Sequence, residues 1–387
     1  MAFREIPTID LAWADDPVRR PELLAGLRNA LVDVGFLYVA NHGVPDQTVD
    51  DMVKVLSALF ALPDEAKDAI NLRNSPHFLG YSATGAETTA GQADRREQVE
   101  FATERTANWT PDKPVYERLR GPNQWPKAGA VTVPGTDRDI RTVVEAYLDA
   151  LTALGARFLQ LVAEALDLPP DALQPFLSDQ HRLKLVRYPG LEGYDGVRSK
   201  INNKVMGGVQ GVGPHKDSSG WWTFLLQASP PPVGGLQALN RAGQWIDVPA
   251  VPGTFVVNIG QAFEVVTHGV CPATTHRVEV LPGTPERFSV PFFQGVRRDL
   301  TKAEALGLRT HFETTFPERF LDAGVAETAE SAEGRQIDSA FLRGRYDTWG
   351  ESQLRTKVRS HRDVGQRFYA DVYDKYIHDE DVEADVK

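Results

Sequence analysis

The sequence predicts a β-rich core, folded as a sandwich or a barrel, with helices packed around it. Between residues 182 and 297, short runs rich in β-branched and aromatic residues alternate with Gly and Pro turns. Short, evenly punctuated strands of this kind are typical of sandwiches and barrels. The flanking regions show helical periodicity instead. The composition, with 42% hydrophobic and 25% charged residues, is that of a globular protein with a sizeable core.

The N-terminal region, residues 1–180, is predicted to be mixed α/β and helical. Periodicity and Gly or Pro boundaries define its elements. They are a strand at 6–10, a helix from Pro21 to Val34, a strand at 35–43, a helix from Val49 to Leu62 and a long helix from Asp139 to Leu168. Residues 70–135, rich in Gly, Pro, Thr and Asn, are predicted to be irregular.

The core region, residues 181–297, and a helical extension, residues 298–387, complete the chain. The predicted core strands are LKLVRY, WWTFLLQ, GLQAL, QWIDV, TFVVNIG, THRVEVL and RFSVPFF. In the extension, the apolar spacing predicts one helix through Phe312, Phe316, Phe320 and Leu321, and a last helix from Leu354 to Tyr376. All three regions are expected to form a single unit.

Composition argues against several classes of partner. The net charge is −11 and no long Lys/Arg block is present, so nucleic acids and anionic membranes are poor candidates. Neither a signal peptide nor an apolar stretch of ~20 residues is recognisable. The single cysteine, Cys271, precludes an intrachain disulfide and suits a reducing compartment. We therefore expect a cytoplasmic protein, monomeric or weakly homo-oligomeric, that acts on a small molecule.

A pair of candidate metal ligands follows a Gly-rich segment. His215 and Asp217 are separated by one residue and precede an apolar run. Alternate side chains of a strand point to the same face, so both can aim at one point. His276, in the strand-like segment THRVEV, supplies a second imidazole. Two imidazoles and one carboxylate on one face of an octahedron leave three positions open, as in non-haem Fe(II) oxygenases.

A His-x-Asp triplet alone is weak evidence, because the chain has 9 histidines and 53 acidic residues. Similar triplets occur at 361–363, in a charged helical segment, and at 378–380, in the acidic tail. Neither is expected to bind a metal. His268 is an alternative second imidazole, and His42 is expected to be a turn or packing residue. We prefer His276 because the strand HRV and a second polar pair follow it.

That second pair is Arg287 and Ser289, which share one face of a predicted strand. A guanidinium beside a hydroxyl is suited to clamp a carboxylate, with the arginine bidentate. A chelated metal next to a carboxylate clamp is what binding of a 2-oxoacid with a distal carboxylate requires. The pair therefore strengthens the assignment of the metal ligands.

At this point the residues match a known family. The chain resembles the isopenicillin N synthase-like 2-oxoglutarate/Fe(II)-dependent dioxygenases across roughly residues 5–297. The matching segments, in the family's order, are IPTIDL, GFLYVANHGVP, LVRYP, GPHKDSSGWWTFLLQ, GGLQAL, VVNIG, THRV and RFSVPFF. The family often has Asp where this chain has Gln261, and Asn where it has His268, so a relative's substrate is not transferred.

The resemblance implies a double-stranded β-helix core, a cupin-like jelly roll with helices outside. It implies an oxidoreductase that uses Fe(II), 2-oxoglutarate and O2 to hydroxylate, desaturate or cyclise a small molecule, releasing succinate and CO2. The implied iron ligands are His215, Asp217 and His276. The implied contacts of the far carboxylate of 2-oxoglutarate are Arg287, Ser289 and Tyr188. No catalytic residue beyond the metal ligands is implied.

The substrate contacts are less defined by sequence. Either Phe292 or Phe293 is expected to floor the pocket, since both follow the clamp closely. A strand irregularity could turn Arg187 towards the pocket, where it would select an anionic or amide-bearing substrate. The segment RREQVEF (95–101) is expected at the pocket rim. The mouth is expected to be formed by residues 70–135 and the C-terminal helices, since such loops set specificity.

Two other functions are compatible with these residues. In some family members the Arg-x-Ser clamp holds the substrate's own carboxylate, and the Fe(II) oxidase or cyclase works without 2-oxoglutarate. Alternatively, a cupin-like barrel binds a small molecule without turnover, which the intact triad and clamp argue against. Dependence of turnover on 2-oxoglutarate separates the first alternative from a dioxygenase.

Overall fold

Two β-sheets pack face to face at the centre of the protein, and helices cover the outside of the larger one. The computed structural model describes residues 2–89, 92–191, 208–218, 220–321, 339–343 and 345–379. Its strands are β1 (Thr8–Asp10), β2 (Phe36–Ala40), β3 (Gly80–Ser82), β4 (Thr88–Thr89), β5 (Gln92–Ala93), β6 (Glu97–Ala102), β7 (Arg182–Tyr188), β8 (Val209–His215), β9 (Trp222–Gln227), β10 (Leu236–Leu239), β11 (Trp245–Asp247), β12 (Thr254–Ile259), β13 (His276–Val280) and β14 (Arg287–Phe293).

The larger sheet has the strand order β1-β2-β12-β9-β14-β7-β6-β3, and the smaller has β11-β10-β13-β8. Strands distant in sequence are thus neighbours, as in double-sheet jelly rolls. The two sheets bury a shared apolar cluster that includes Val186 and Tyr188 from one side and Val212 and Val278 from the other. The predicted sandwich or barrel is the architecture observed.

Most helices lie before and after the core strands. They are α1 (Arg20–Asn29), which continues as a π-helical turn (Ala30–Val34), α2 (Asp46–Phe60), α3 (Asp64–Ala69), α4 (Ile140–Ala165), α5 (Gln261–Val266), α6 (Lys302–Ala305), α7 (Arg309–Thr315), α8 (Glu318–Leu321), α9 (Ala340–Arg343), α10 (Trp349–Ser360), α11 (Arg362–Phe368) and α12 (Ala370–Ile377). Within the described residues, none of these helices has the length and apolar character needed to cross a membrane.

The long helix α4 supports the outer face of the larger sheet. Its N-terminus is capped by Asp139, which accepts a hydrogen bond from the backbone N–H of Thr142 at 3.0 Å. On its buried side, the ring of Phe158 meets the rings of Trp222 and Phe224 edge-on, with centroids 5.1 and 5.5 Å away. This packing covers one face of β9 and leaves the opposite face for the cavity between the sheets.

Residues 70–135 contain more order than the sequence predicted. Strand β6 lies in this region and pairs antiparallel with β7, with Glu100 opposite Lys184. Its six residues are all buried, although three of them are Glu or Gln. A prediction based on apolar alternation misses such a strand, because its polar side chains are buried against partners from other elements.

The two predicted C-terminal helices are each interrupted. The helix through Phe312 and Leu321 stops at Thr315, and Pro317 separates it from α8. The helix predicted over 354–376 is divided among α10, α11 and α12, with breaks at His361 and Tyr369. Tyr369 leaves the helix to stack its ring on Phe78, with centroids 5.6 Å apart. Packing against the N-terminal region therefore overrides the local helical pattern.

Replacing Leu151 with Ala is expected to lower the free energy of unfolding by about 2–5 kcal/mol, because a cavity is left in the core. Leu151 is fully buried on α4, whereas Leu306 is 38% exposed. The matched change Leu306→Ala is therefore expected to cost no more than about 0.5 kcal/mol. Urea unfolding followed by circular dichroism measures both. Equal losses in the two variants would contradict the assigned core.

Candidate metal centre

Adjacent strands of the smaller sheet bring the predicted metal ligands together. His215 ends β8 and His276 begins β13, and the two residues are directly opposite in the antiparallel register. Their rings lie 4.3 Å apart between centroids. Asp217 follows β8 by two residues, and its backbone C=O accepts a hydrogen bond from the N–H of Gln261 at 2.8 Å. This bond ties the third candidate ligand to the start of α5.

The three side chains have the spacing of a single metal site. Oδ1 of Asp217 lies 3.6 Å from Nε2 of His215 and 3.7 Å from Nε2 of His276. One ligand atom from each residue lies within 4.8 Å of the others, and no other such group of His, Cys, Asp and Glu occurs among the described residues. Metal–ligand bonds are about 2.0–2.2 Å long, so one ion can reach all three atoms.

Backbone carbonyls fix both imidazoles in the tautomer that a metal needs. Nδ1 of His215 lies 2.9 Å from the carbonyl oxygen of Gly213, and Nδ1 of His276 lies 3.1 Å from that of Thr274. A carbonyl oxygen only accepts, so each Nδ1 carries the proton and donates. The lone pair of each Nε2 is therefore free to bind a metal. Hydrogen bonds of this kind typically orient metal-binding histidines.

The carboxylate of Asp217 is oriented in the same way. Its Oδ2 accepts hydrogen bonds from Oγ1 of Thr223 and Nδ2 of Asn258, both at 2.6 Å. The other oxygen, Oδ1, faces the imidazoles. Burial alone would raise the pKa of Asp217, but nearby His276 and His215 and the bond from Thr223 hold it well below its usual range. The carboxylate is thus ionised and its free oxygen is aimed at the site.

A buried cation lies on the facing sheet. Arg287 is 3% exposed, and its Nη1 has no hydrogen-bond partner among the described residues. Its Nη2 donates to Gln227 at 3.2 Å, and its guanidinium lies 4.9 Å from the ring centroid of Tyr188. Burial lowers the pKa of Arg287, yet an arginine stays protonated. Ser289, also buried, shares its strand face. A buried guanidinium with no carboxylate partner in the described part of the chain is suited to bind an anionic ligand.

These groups line one cavity between the two sheets. Both sheets contribute apolar side chains to its walls, beside the polar groups of the candidate site. The apolar lining residues are Phe36, Val186, Val212, Leu225, Leu236, Val278, Pro291 and Phe293. Tyr188 also lines it, opposite Arg287 in the register of β7 and β14.

Two candidate substrate residues face away from the cavity. Arg187 lies on the opposite face of a regular β7, where its guanidinium binds Glu97 at 2.6 Å and Glu286 at 2.7 Å. Phe292 is fully buried among aromatic side chains that include Phe224. The expectation that Arg187 turns towards the pocket is therefore corrected, because the strand alternation is unbroken. Of the two phenylalanines, Phe292 is the one that faces away. Phe293, on the same strand face as Arg287 and Ser289, does line the cavity.

Several charged cavity residues were not predicted individually. They are Arg96, Glu100, Arg182, Lys184 and Lys357. The first two lie in the segment 95–101, which was expected at the rim. Counting back in twos along β7 from Tyr188 would have found the lysine and the arginine of that strand. Lys357, from α10, has no comparable local signal.

The other histidines have structural partners. The ring of His42 packs on Phe255 with centroids 4.6 Å apart, as expected for a turn residue. His268 adopts a left-handed backbone conformation (φ 50°), and its Nε2 contacts the carbonyl of Leu306 at 3.2 Å. His361 packs near Phe78. In the 378–380 triplet, Asp379 binds Arg355 at 3.0 Å. None of these residues joins the candidate ligand group.

Comparison with known proteins gives the family. Residues 6–128 match the family described as non-haem dioxygenase in morphine synthesis N-terminal, and residues 180–296 match the 2OG-Fe(II) oxygenase superfamily. A 2-oxoglutarate-dependent dioxygenase, frbJ, from Dothideomycetidae sp. is 39% identical and the alignment covers 95% of this chain and 93% of that protein. This chain belongs to the 2-oxoglutarate/Fe(II)-dependent dioxygenases. The predicted family is confirmed.

Two further comparisons agree. A 2-oxoglutarate-dependent dioxygenase from Gibberella zeae is 34% identical over 96% of this chain and 92% of its own. The crystal structure of a Neurospora crassa enzyme with alpha-KG and thymine superposes with a TM-score of 0.62 at 21% identity, covering 95% of this chain and 97% of that one. The predicted double-stranded β-helix fold is confirmed. The protein is thus an oxidoreductase that uses Fe(II) and 2-oxoglutarate to oxidise a small molecule.

Replacing Asn258 with Ala is expected to weaken Fe(II) binding by about 10–100-fold, because the carboxylate of Asp217 loses one of its two orienting bonds. Anaerobic Fe(II) titration measures the affinity. Asn240→Ala is the matched control, since Asn240 is equally buried but holds the turn to Gln244. An unchanged affinity in Asn258→Ala would show that the hydrogen bond does not position the ligand.

Proposed function

We propose that His215, Asp217 and His276 bind the catalytic Fe(II). The observation that carries this proposal is the hydrogen bonding of their non-coordinating atoms. Nδ1 of each histidine and Oδ2 of the aspartate already have partners, so two nitrogens and one oxygen converge without competition. A facial set of two imidazoles and one carboxylate leaves three positions for cosubstrate and O2.

We further propose that Arg287, Ser289 and Tyr188 hold the distal carboxylate of 2-oxoglutarate. The free Nη1 of Arg287 points to a planar anion as its partner. Tyr188 packs under the guanidinium and restricts its rotation. Arg287 and Ser289 occupy the same face of β14, so both can contact one carboxylate.

The protein's own contribution to the reaction is to position the groups that react. When Fe(II) and 2-oxoglutarate are bound, they supply with O2 the oxidant for an unactivated C–H bond, with release of succinate and CO2. Thr223 and Asn258 hold the Asp217 carboxylate in one orientation. Arg287 fixes the cosubstrate at its far end. Phe293 is proposed as the floor of the substrate site.

We also propose that the whole chain is one catalytic unit. Each of the three regions supplies side chains to the cavity. Arg96 comes from the N-terminal region (1–180), Tyr188 from the core (181–297) and Lys357 from the C-terminal extension (298–387). The free, buried Cys271 and the need to keep iron as Fe(II) favour the cytosol. We propose a monomer or weak homo-oligomer there, without nucleic-acid or membrane partners.

The metal assignment is tested with His215→Ala and Asp217→Ala. Each variant is expected to lose Fe(II) binding and the succinate formed from 2-oxoglutarate, because two ligands do not retain the ion. Anaerobic titration gives the first quantity and chromatography of succinate the second. Thermal melting confirms that the variants fold. Iron binding and succinate formation at wild-type levels in both would overturn the assignment.

The carboxylate clamp is tested with Arg287→Gln, for which the affinity for 2-oxoglutarate is expected to fall at least about thirtyfold, since a buried charge pair is lost. Fe(II) affinity is expected to stay unchanged. Arg187→Gln is the matched control, because Arg187 lies on the other face of the same sheet, where it binds Glu97 and Glu286. Calorimetry with the Mn(II)-loaded protein measures the 2-oxoglutarate affinity of both variants, and anaerobic titration measures their Fe(II) affinity. A similar loss in the two variants would refute the clamp.

A further inference from the structure

We propose that Lys184 and Lys357 bind a single carboxylate group of the prime substrate, which makes the substrate a monoanion at that end. This inference rests on the proposed function, because it assigns the part of the cavity that 2-oxoglutarate leaves free. The site is defined by a group named here the cationic cluster, which consists of Arg182, Lys184 and Lys357 around Glu100.

The cationic cluster lies at the opposite end of the cavity from the clamp. Side chains 182, 184, 186 and 188 share one face of β7, and all four line the cavity. Tyr188 is opposite Arg287 in the register, whereas Arg182 is opposite Phe293. At ~3.3 Å per residue, Lys184 lies about 13 Å along the strand from Tyr188. The cluster therefore sits beside the proposed substrate floor rather than beside the cosubstrate.

One buried carboxylate serves three cations in this cluster. Glu100 is 2% exposed and binds Arg182 at hydrogen-bond distance. Nζ of Lys357 lies 3.3 Å from its Oε1, and Nζ of Lys184 lies 3.8 Å from its Oε2. Arg182 is further held by the carbonyls of Phe78 and His77. The ammonium groups of Lys184 and Lys357 are thus the donors of this cluster that can bind a further acceptor.

The adjoining charges reduce the surplus to one. Arg96 lies 2.7 Å from Glu87 and 3.2 Å from Asp94. Among the described residues of this group, Arg96 and the three cations of the cluster face three carboxylates, Glu87, Asp94 and Glu100, which leaves a net charge of +1. His361 lies 4.0 Å from Glu87, and burial lowers its pKa, so it adds no charge at neutral pH. Arg359 lines the adjoining cavity, where its guanidinium donates to the carbonyls of Tyr376 and Asp379. The surplus is thus positive, and a carboxylate of the substrate would pair with it.

The cosubstrate does not use this charge. 2-Oxoglutarate carries two negative charges, and Asp217 carries a third. Fe(II) and Arg287 together carry three positive charges, so that half of the cavity is neutral when loaded. An excess charge in the remaining, partly buried half is costly unless a ligand pairs with it. Burial, and next the charge of Arg182, lower the pKa of Lys357 to about 8 despite Glu100.

The test uses matched probes, because the prime substrate is unidentified. Hexanoate and benzoate are compared with hexanamide and benzamide, which have nearly the same shape without the charge. Binding to the protein loaded with Mn(II) and saturating 2-oxoglutarate is measured by thermal shift and calorimetry. We expect each acid to bind at least about tenfold more tightly than its amide. Acids that bind no better than their amides would overturn the proposal.

Lys184→Met and Lys357→Met locate the effect. Each is expected to weaken acid binding about tenfold to hundredfold and to leave amide binding unchanged. Lys67→Met is the matched control: Lys67 is also largely buried and pairs with a glutamate of β6, Glu97, on the face away from the cavity. Unchanged acid affinity in both cavity variants, in proteins with wild-type melting behaviour, also overturns the proposal.

Binding of 2-oxoglutarate separates this inference from the proposed function. The two lysine variants are expected to keep wild-type 2-oxoglutarate affinity, which Arg287→Gln loses. If the lysine variants lose it and Arg287→Gln does not, the clamp has been assigned to the wrong end of the cavity. If Arg287→Gln behaves as expected but the acids show no preference, only the substrate inference is wrong.

Discussion

The antiparallel pairing of β8 with β13 is the contact on which the candidate site depends. It sets His215 opposite His276, and it leaves Asp217 just beyond the strand end. Both strands belong to the smaller sheet, which packs against the larger one through a shared apolar cluster that includes Val212 and Val278. A slip of one residue would turn an imidazole to the opposite face. The apolar packing between the sheets therefore fixes the register that the ligands require.

Burial without full pairing is the common electrostatic feature of the cavity. Oδ2 of Asp217 accepts from Thr223 and Asn258, whereas its Oδ1 faces the imidazoles. Nη1 of Arg287 has no hydrogen-bond partner in the part of the chain that the structure describes. Charges in such positions cost stability unless something binds them. On the other face of the same sheet, the half-buried Arg187 is paired with Glu97 and Glu286. This pairing contrasts with the buried guanidinium of Arg287, which is suited to bind an anion.

Local periodicity explains which of these features the sequence predicts. The alternation of β14 brings Arg287, Ser289 and Phe293 to one face, and the same count sends Phe292 to the other. Arg187 would face the cavity only if β7 contained an irregularity, and this strand is regular. No local rule predicts that Lys357 reaches the cavity, because it is separated from its partner Glu100 by 257 positions in the sequence. Its placement, like the interruption of the last helix, is decided by packing between distant segments.

The C-terminal extension acquires a physical role from this packing. Helix α10 touches the loop that follows Asp217, where Nε2 of Gln353 donates to the carbonyl of Ser218 at 2.9 Å. Four residues after Gln353, the same helix brings the ammonium group of Lys357 into the cationic cluster around Glu100. The extension therefore supplies part of the cavity wall, because Lys357 lines the same cavity as the candidate metal ligands.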